Sequence, residues 1–151
     1  AAEEWDIARK VSAGALGGIE SVISAEEIIE AQALTRRMPV CDQVLGYAHA
    51  LVRATRPGTE EAPDFVNESV GWGAGPRGVL SLISCAKARA LLKGRYHTSV
   101  EDVQAIVLPA LRHRIAPNYA GMASGLDSEK LLELLLEAVP ADQTFNEPVA
   151  V

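Results

Sequence analysis

Apolar positions in the first half of the chain recur at helical spacing. Between residues 42 and 54 a single stripe is formed by Val44, Leu45, Ala48, Leu51 and Val52. Residues three and four apart share one face of an α-helix, so this spacing predicts an amphipathic helix over residues 42–54. Pro39 cannot continue a helix, and it marks the end of another one, which we predict over residues 25–37.

Two short motifs predict helix starts. Ser24 is followed three residues later by Glu27, the pattern of a capping box, and Ile28, Ala31 and Leu34 then continue at helical spacing. A second box, predicted to run from Thr98 to Glu101, opens a helix over residues 99–113 with its valines inward. Pro109 is expected to kink that helix or to begin a separate short one. A short helix is also predicted from Glu3 to Val11, before a glycine-rich loop over residues 13–18.

Proline and glycine also delimit the helix that follows residue 75. Pro76 suits the first helical position and Gly94 suits the end, which predicts a helix with a core face of Val79, Ile83, Ala86 and Ala90. A last helix, capped by Asp127 or Ser128, contains LLELLLEAV and stops at Pro140. Residues 57–75, which hold two prolines and four glycines, are predicted to form a long loop.

These elements predict an all-α fold, a bundle of about five or six short helices. Residues 1–140 are assigned to the helical domain and residues 141–151 to a flexible tail. The composition agrees, because 48% of the 151 residues are hydrophobic and only 5% are aromatic. No apolar run approaches the roughly 18 residues of a membrane span, and the acidic start AAEEWDIARK lacks the pattern of a secretion signal. A cytoplasmic location is therefore expected.

The spacing of the two cysteines and the distribution of charge exclude further classes of function. Cys41 and Cys85 have no partners at metal-ligand spacing, so they are predicted to be reduced and half-buried, with no metal site. The net charge is −6, yet residues 77–114 carry seven Lys or Arg against two acids. That segment is either a basic face for a polyphosphate or nucleic acid, or one of two oppositely charged faces that are solvated or packed against each other within the bundle. Nucleic-acid binding is not favoured, because interleaved aromatic residues are missing.

Arg77 is the main candidate for chemistry. It follows Gly75 and Pro76 at the second position of its helix, where the helix dipole disfavours a cation unless an anion is bound nearby. The alternative is that Arg77 pairs with an acid in the preceding loop, such as Glu68 or Asp64. No phosphate-binding loop or nucleophile elbow is present, so the chain cannot hydrolyse a nucleotide alone. Each of the three histidines is predicted to be a surface or capped residue rather than a ligand or base; they are His49, His97 and His113.

Six linked segments together resemble the C-terminal lid of MoxR-type AAA+ ATPases. The resemblance extends over about residues 20–138, and the segments are ALVRATR (50–56), WGAGPRG (72–78), AKARAL (86–91), GR (94–95), TSVEDV (98–103) and PALRHR (109–114). It implies an N-terminal α/β core that carries the phosphate loop, with residues 1–13 as the junction helix towards that core. The first residue is not Met, which fits either processing or a piece of a longer chain.

The resemblance also implies specific roles. Arg77 matches the family's sensor-2 arginine, expected to contact the γ-phosphate of ATP, and Gly75 and Pro76 would complete the cofactor-binding segment. Gly75 departs from the family, which usually has Ser there. Magnesium would be bound by the core. The implied partners are that core, copies of the chain in a homo-oligomeric, chaperone-like ring, and a protein with a von Willebrand factor A domain. The alternative from another class is a free-standing helical protein-interaction domain with no nucleotide role.

Overall fold

A computed structural model describes residues 2–14 and 20–141, and these residues divide into two compact units. The first unit covers residues 1–32, and every side chain described in it is exposed. It contains helix α1 (Ala2–Ser12) and the start of helix α2 (Ala25–Arg37). The predicted tail lies outside the described residues except for Ala141, as does most of the predicted loop over residues 13–18.

The capping box at the start of α2 is confirmed. The backbone N–H of Ser24 donates to Glu27 Oε2 at 2.7 Å, and the backbone N–H of Glu27 donates to Ser24 Oγ at 3.1 Å. This reciprocal pair satisfies two N–H groups that the first turn of a helix leaves without a partner. The local sequence alone therefore determines where α2 begins.

The second unit, residues 33–151, holds the remaining elements. In chain order these are α3 (Asp42–Ala54), α4 (Asp64–Ser69), β1 (Val70–Trp72), α5 (Pro76–Leu92), α6 (Val100–Leu111), β2 (Ala116–Pro117), α7 (Tyr119–Ala123) and α8 (Ser128–Ala138). The two strands pair antiparallel, with Val70 opposite Pro117 and Trp72 opposite Ala116. The prediction of a helical bundle is confirmed, with eight helices and one two-stranded sheet in the described part of the chain.

The core of the second unit forms where α3, α5, α6 and α8 pack together. Its largest fully buried side chains include Tyr47, Leu51, Leu82, Leu111, Leu131, Leu132 and Leu135. Burial of a leucine side chain stabilises a fold by about 1.5–3 kcal/mol, so this aliphatic cluster supplies the main driving force for folding. The predicted apolar stripe of α3 faces this core, and only Leu45 remains partly exposed.

Helix α5 uses a different core face from the one predicted. Ala86 and Ala90 are buried as expected, but Val79 and Ile83 are only partly buried, and Leu82 and Gly78 occupy the centre of the contact. A Cβ atom added at Gly78 would lie 3.3 Å from side-chain carbons of Ala74, Val52 and Leu111. The close approach of α3 and α6 to Gly78 therefore selects this face.

The predicted long loop over residues 57–75 contains structure that the sequence pattern did not indicate. Helix α4 and strand β1 occupy residues 64–72, and Val66 and Val70 are buried in the core. Strand β1 exists because residues 116–117 pair with it, and this pairing partner lies more than 40 positions away. Only the short segments on either side of these two elements remain irregular.

The capping box of α6 is shifted by one residue from the prediction. Ser99 is the N-cap and Asp102 is its partner, whereas Thr98 is buried with its hydroxyl 3.5 Å from the sulfur of Met38. Asp102 accepts hydrogen bonds from the backbone N–H and the hydroxyl of Ser99, each at 3.1 Å. Pro109 lies inside α6, which ends at Leu111 without a separate helix after it.

The cysteine prediction is wrong in one respect, because Cys41 and Cys85 are both free thiols but both are exposed. Cys41 is the N-cap of α3, and its side chain makes no capping hydrogen bond. Cys85 lies on the outer face of α5, next to the buried Ala86. Cys41 therefore lies at a helix boundary, and Cys85 lies on the solvent-facing side of a helix. Amino-acid composition does not distinguish either position from a position in the core.

Candidate functional site

An open cleft lies at the N-terminal end of α5. It has a volume of about 530 Å³ and is lined by Trp72, Gly73, Gly75, Pro76, Arg77, Gly78 and Arg114. The structure thus brings all three residues of the predicted cofactor-binding segment into one concave surface. It adds Arg114, which was not predicted from the sequence as a site residue.

The loop leading into α5 is fixed by the C-terminal end of α3. The hydroxyl of Thr55, which is fully buried, donates to the carbonyl oxygen of Val52 at 2.7 Å and accepts from the backbone N–H of Ala74 at 2.9 Å. The Nε of Arg56 donates to the carbonyl oxygen of Ala74 at 2.8 Å. Both polar groups of the Ala74 backbone are therefore held by consecutive residues of one chain segment.

Gly73 makes this attachment possible. A Cβ atom at this position would lie 2.3 Å from the carbonyl oxygen of Thr55, a distance that no side chain can occupy without backbone movement. Gly75 differs, because a Cβ atom there would meet nothing within 4 Å. The first glycine of the motif therefore serves backbone packing, and the second leaves the entrance to α5 open.

The N-terminal turn of α5 presents positive potential without an internal counter-charge. Gly75 is the N-cap and provides no side-chain hydrogen bond, Pro76 is the first helical residue, and the first turn contains no acid. The unsatisfied N–H groups and the dipole at such an end favour an anion. Residues 75–77 therefore have the backbone character of an anion-binding corner.

Arg77 is exposed within this corner. Among the described residues its guanidinium has no salt-bridge partner, and neither Glu68 nor Asp64 pairs with it as the alternative reading required. A cation at this position is unfavourable by a few tenths of a kcal/mol or more in isolation. A bound anion would remove that cost.

Arg114 approaches the same cleft from the segment after α6. Its Nε donates to the carbonyl oxygen of Ala110 at 3.0 Å, and its Nη2 donates to Ser81 Oγ on α5 at 3.1 Å. The side chain is half-buried, so these two bonds hold the guanidinium against the bundle. The run Arg112-His113-Arg114 at the end of a helix indicated a basic segment here. The sequence did not indicate which of its basic side chains faces α5.

The rim of the cleft carries an aromatic side chain. Trp72, in strand β1, is 74% exposed although it is large and apolar. Its position in the sheet follows from the pairing with Ala116, which also brings the segment containing Arg114 close to the cleft. The cleft thus combines two guanidinium groups, a helix N-terminus and one indole ring.

Outside the cleft, the described part of the chain shows no arrangement suited to a metal ion. Residues 2–14 and 20–141 contain no group of three or more His, Cys, Asp or Glu side chains that could hold a metal ion. The three histidines are exposed, as predicted. None of the helices in this part of the chain is long and apolar enough to cross a membrane. The α5 cleft is the candidate functional site because it combines two arginines with a helix N-terminus that has no acid in its first turn.

Comparison with known proteins identifies the region that contains the cleft. Residues 64–133 match the family model described as the AAA lid domain. Chaperone MoxR1 of Mycobacterium tuberculosis is 27% identical over 129 residues, which cover 85% of this chain and 34% of that protein. Protein MoxR of Methylorubrum extorquens is 33% identical over 125 residues, which cover 82% of this chain and 33% of that protein. The chain thus spans about a third of the length of these relatives.

A solved structure shares the fold. It is the 2.00 Å crystal structure of a candidate ATPase from Cytophaga hutchinsonii, with a TM-score of 0.75 and 25% sequence identity. The similarity covers 91% of this chain and 42% of that one. The helical arrangement around the cleft therefore recurs as part of a larger protein.

Proposed function

Because residues 64–133 are an AAA lid domain and the chain is related to MoxR proteins over most of its length, we propose that it is the C-terminal lid of a MoxR-type AAA+ ATPase. In this proposal the lid closes over ATP that is bound to an N-terminal core of the same protein. Hydrolysis is then coupled to movement of the lid. The chain's own contribution is made at the cleft in front of α5.

The observation that carries the proposal is the uncompensated positive charge of that cleft. Arg77 has no carboxylate partner among the described residues, and the first turn of its helix contains no acid. A polyphosphate supplies the negative charge that this geometry favours. The cleft therefore fits the phosphate end of a nucleotide, and no described residues form a cluster suited to its magnesium ion.

The role of Arg77 follows from its position on the lid. A guanidinium that reaches the γ-phosphate stabilises the negative charge of the transferring phosphoryl group, an electrostatic effect worth orders of magnitude in rate. Gly75 and Pro76 orient the first turn of α5 towards the same phosphate. When the γ-phosphate leaves, the lid loses this anchor, so the arginine links hydrolysis to lid opening.

The proposal extends to the assembled protein. We expect a homo-oligomeric ring with a chaperone-like role, a cytoplasmic location, and a client or partner that carries a von Willebrand factor A domain. One of the relatives is named a chaperone, which supports the proposed chaperone-like role. The magnesium ion and the phosphate loop belong to the core.

The test compares the full-length gene product with its Arg77→Ala variant in ATP turnover and ATP affinity. We expect turnover to fall at least tenfold, because one charge-assisted contact to the transition state is lost. Arg112→Ala is the matched control, since Arg112 lies outside the cleft and pairs with Glu129 at 3.0 Å. If Arg77→Ala matches wild type in both quantities while remaining folded, the free-standing interaction domain becomes the better explanation.

A further inference from the structure

We propose that Arg114 is a second phosphate-binding residue, and that Arg77 and Arg114 together hold the terminal phosphate of a nucleoside triphosphate. This inference rests on the proposed function and goes beyond it, because it assigns a ligand contact to a residue from a different part of the fold. Arg77 belongs to α5, whereas Arg114 follows α6. Both line the same cleft.

The hydrogen bond to Ser81 places Arg114 beside Arg77. Ser81 lies four residues after Arg77 on α5, and residues at this spacing share one face of a helix. Because Arg114 Nη2 donates to Ser81 Oγ at 3.1 Å, its guanidinium is anchored one turn along that face. The bond from Arg114 Nε to the carbonyl oxygen of Ala110 fixes the other side of the group.

Arg114 retains donors for a ligand. A guanidinium has five N–H groups, and the two hydrogen bonds occupy Nε and one position of Nη2. The Nη1 of Arg114 has no hydrogen-bond partner among the described residues. Its anchored orientation also reduces the conformational entropy lost on binding, since the side chain is already ordered.

The charges around the cleft support an anionic ligand at both arginines. Four other arginines of the second unit have carboxylate partners, since Arg53 pairs with Glu61, Arg89 and Arg95 with Asp102, and Arg112 with Glu129, whereas Arg56 donates to the backbone carbonyl of Ala74. In the described chain Arg77 and Arg114 form no salt bridge, and no acid lines their cleft. Two like charges beside a helix N-terminus repel each other, and a phosphate group that carries about two negative charges removes this repulsion.

The contact would distinguish the triphosphate from the diphosphate. If both arginines hold the terminal phosphate of ATP, loss of either one weakens binding of ATP much more than binding of ADP. A role confined to the fold would not produce this difference, since both nucleotides bind the same folded chain.

The experiment measures binding of a non-hydrolysable ATP analogue and of ADP to the full-length gene product by titration calorimetry. The variants are Arg114→Gln, Arg77→Ala, Ser81→Ala and the control Arg112→Gln, which removes the same charge two residues away. We expect Arg114→Gln to weaken binding of the analogue about tenfold, and to weaken ADP binding less than twofold. Arg112→Gln should bind both nucleotides as wild type does.

The outcomes separate the two proposals. If Arg77→Ala weakens binding of the analogue but Arg114→Gln and Ser81→Ala do not, the role of Arg114 is refuted and the lid function stands. If no cleft variant changes binding, the proposed function fails as well. Equal losses in Arg112→Gln and Arg114→Gln would reveal a general charge effect and refute the contact. If Arg114→Gln does not fold, Ser81→Ala tests the role of Arg114 instead. We then expect Ser81→Ala to weaken binding of the ATP analogue but not binding of ADP.

Discussion

Replacement of Asp102 by asparagine tests the buried charge network that joins α5 to α6. The Asp102 carboxylate is fully buried. Arg89 Nη1 donates to it at 2.6 Å and Arg95 Nη1 at 2.8 Å, while Ser99 supplies the capping hydrogen bonds. Because asparagine keeps the size of the side chain but removes the charge and replaces one acceptor oxygen by an NH2 donor, the variant tests the charge and the hydrogen bonds of the network together.

The expected loss is about 3 kcal/mol of unfolding free energy. Removing one partner of a buried ion pair costs about 3–5 kcal/mol, because the remaining charge is left uncompensated. Arg89 and Arg95 keep 26% and 31% of their side-chain surface exposed, so water can solvate the charge that is left without a partner. The expected loss therefore lies at the lower end of the roughly 3–5 kcal/mol range. Loss of the N3 carboxylate from the capping box is included in this figure.

The network also makes stability depend on pH. Burial raises the pKa of Asp102, but the hydrogen bonds from Arg95, the Ser99 backbone and Arg89 outweigh this and hold the pKa well below its usual 3.8. A group whose folded pKa is depressed stabilises the fold above its unfolded pKa, and the contribution is lost as the pH falls through the folded pKa. The difference between wild type and variant should therefore be full at pH 7 and shrink below about pH 4.

Urea unfolding followed by far-ultraviolet circular dichroism measures this difference. With an m-value of about 1.5 kcal/mol/M, a loss of 3 kcal/mol lowers the midpoint by about 2 M. Glu133→Gln is the control, since it removes the same charge from an exposed side chain of α8 and should change stability by less than about 0.5 kcal/mol. If Asp102→Asn shifts the midpoint no more than Glu133→Gln does, the buried network contributes no net stability and the reasoning fails.

Two glycines of the cleft motif should respond in opposite ways. Gly73→Ala should lower the unfolding free energy by at least about 2 kcal/mol in the same urea assay, because the new Cβ would lie 2.3 Å from the carbonyl oxygen of Thr55; a neutral result would show that the loop can move away from α3. Gly75→Ser should instead raise stability by about 0.5–1 kcal/mol, since the added side chain has open space, can cap α5 and restricts the unfolded chain. A destabilising Gly75→Ser would mean that the entrance to α5 does not accept a capping hydroxyl.

Local sequence predicted the features that depend on neighbours in the chain. The start of α2 follows from Ser24 and Glu27, whose hydrogen bonds span three residues. The start and end of α5 follow from Pro76 and from Gly94, which has a positive φ of 69°. The proposal of Arg77 as a candidate site residue has the same local origin, because the effect of the helix dipole depends only on its position in the helix. Such interactions are short in sequence, so one segment contains all the information they require.

The tertiary structure decided the features that depend on a distant partner. Leu82 rather than Ile83 is buried because α3 and α6 approach α5 at Gly78, and β1 forms because residues 116–117 pair with it. Arg114 enters the cleft through a hydrogen bond to a residue 33 positions earlier. Whether such a contact forms depends on how the helices pack, and packing is a property of the whole core rather than of one periodic segment. The sequence therefore determined which residue types were present at the candidate site, and packing determined which of them meet.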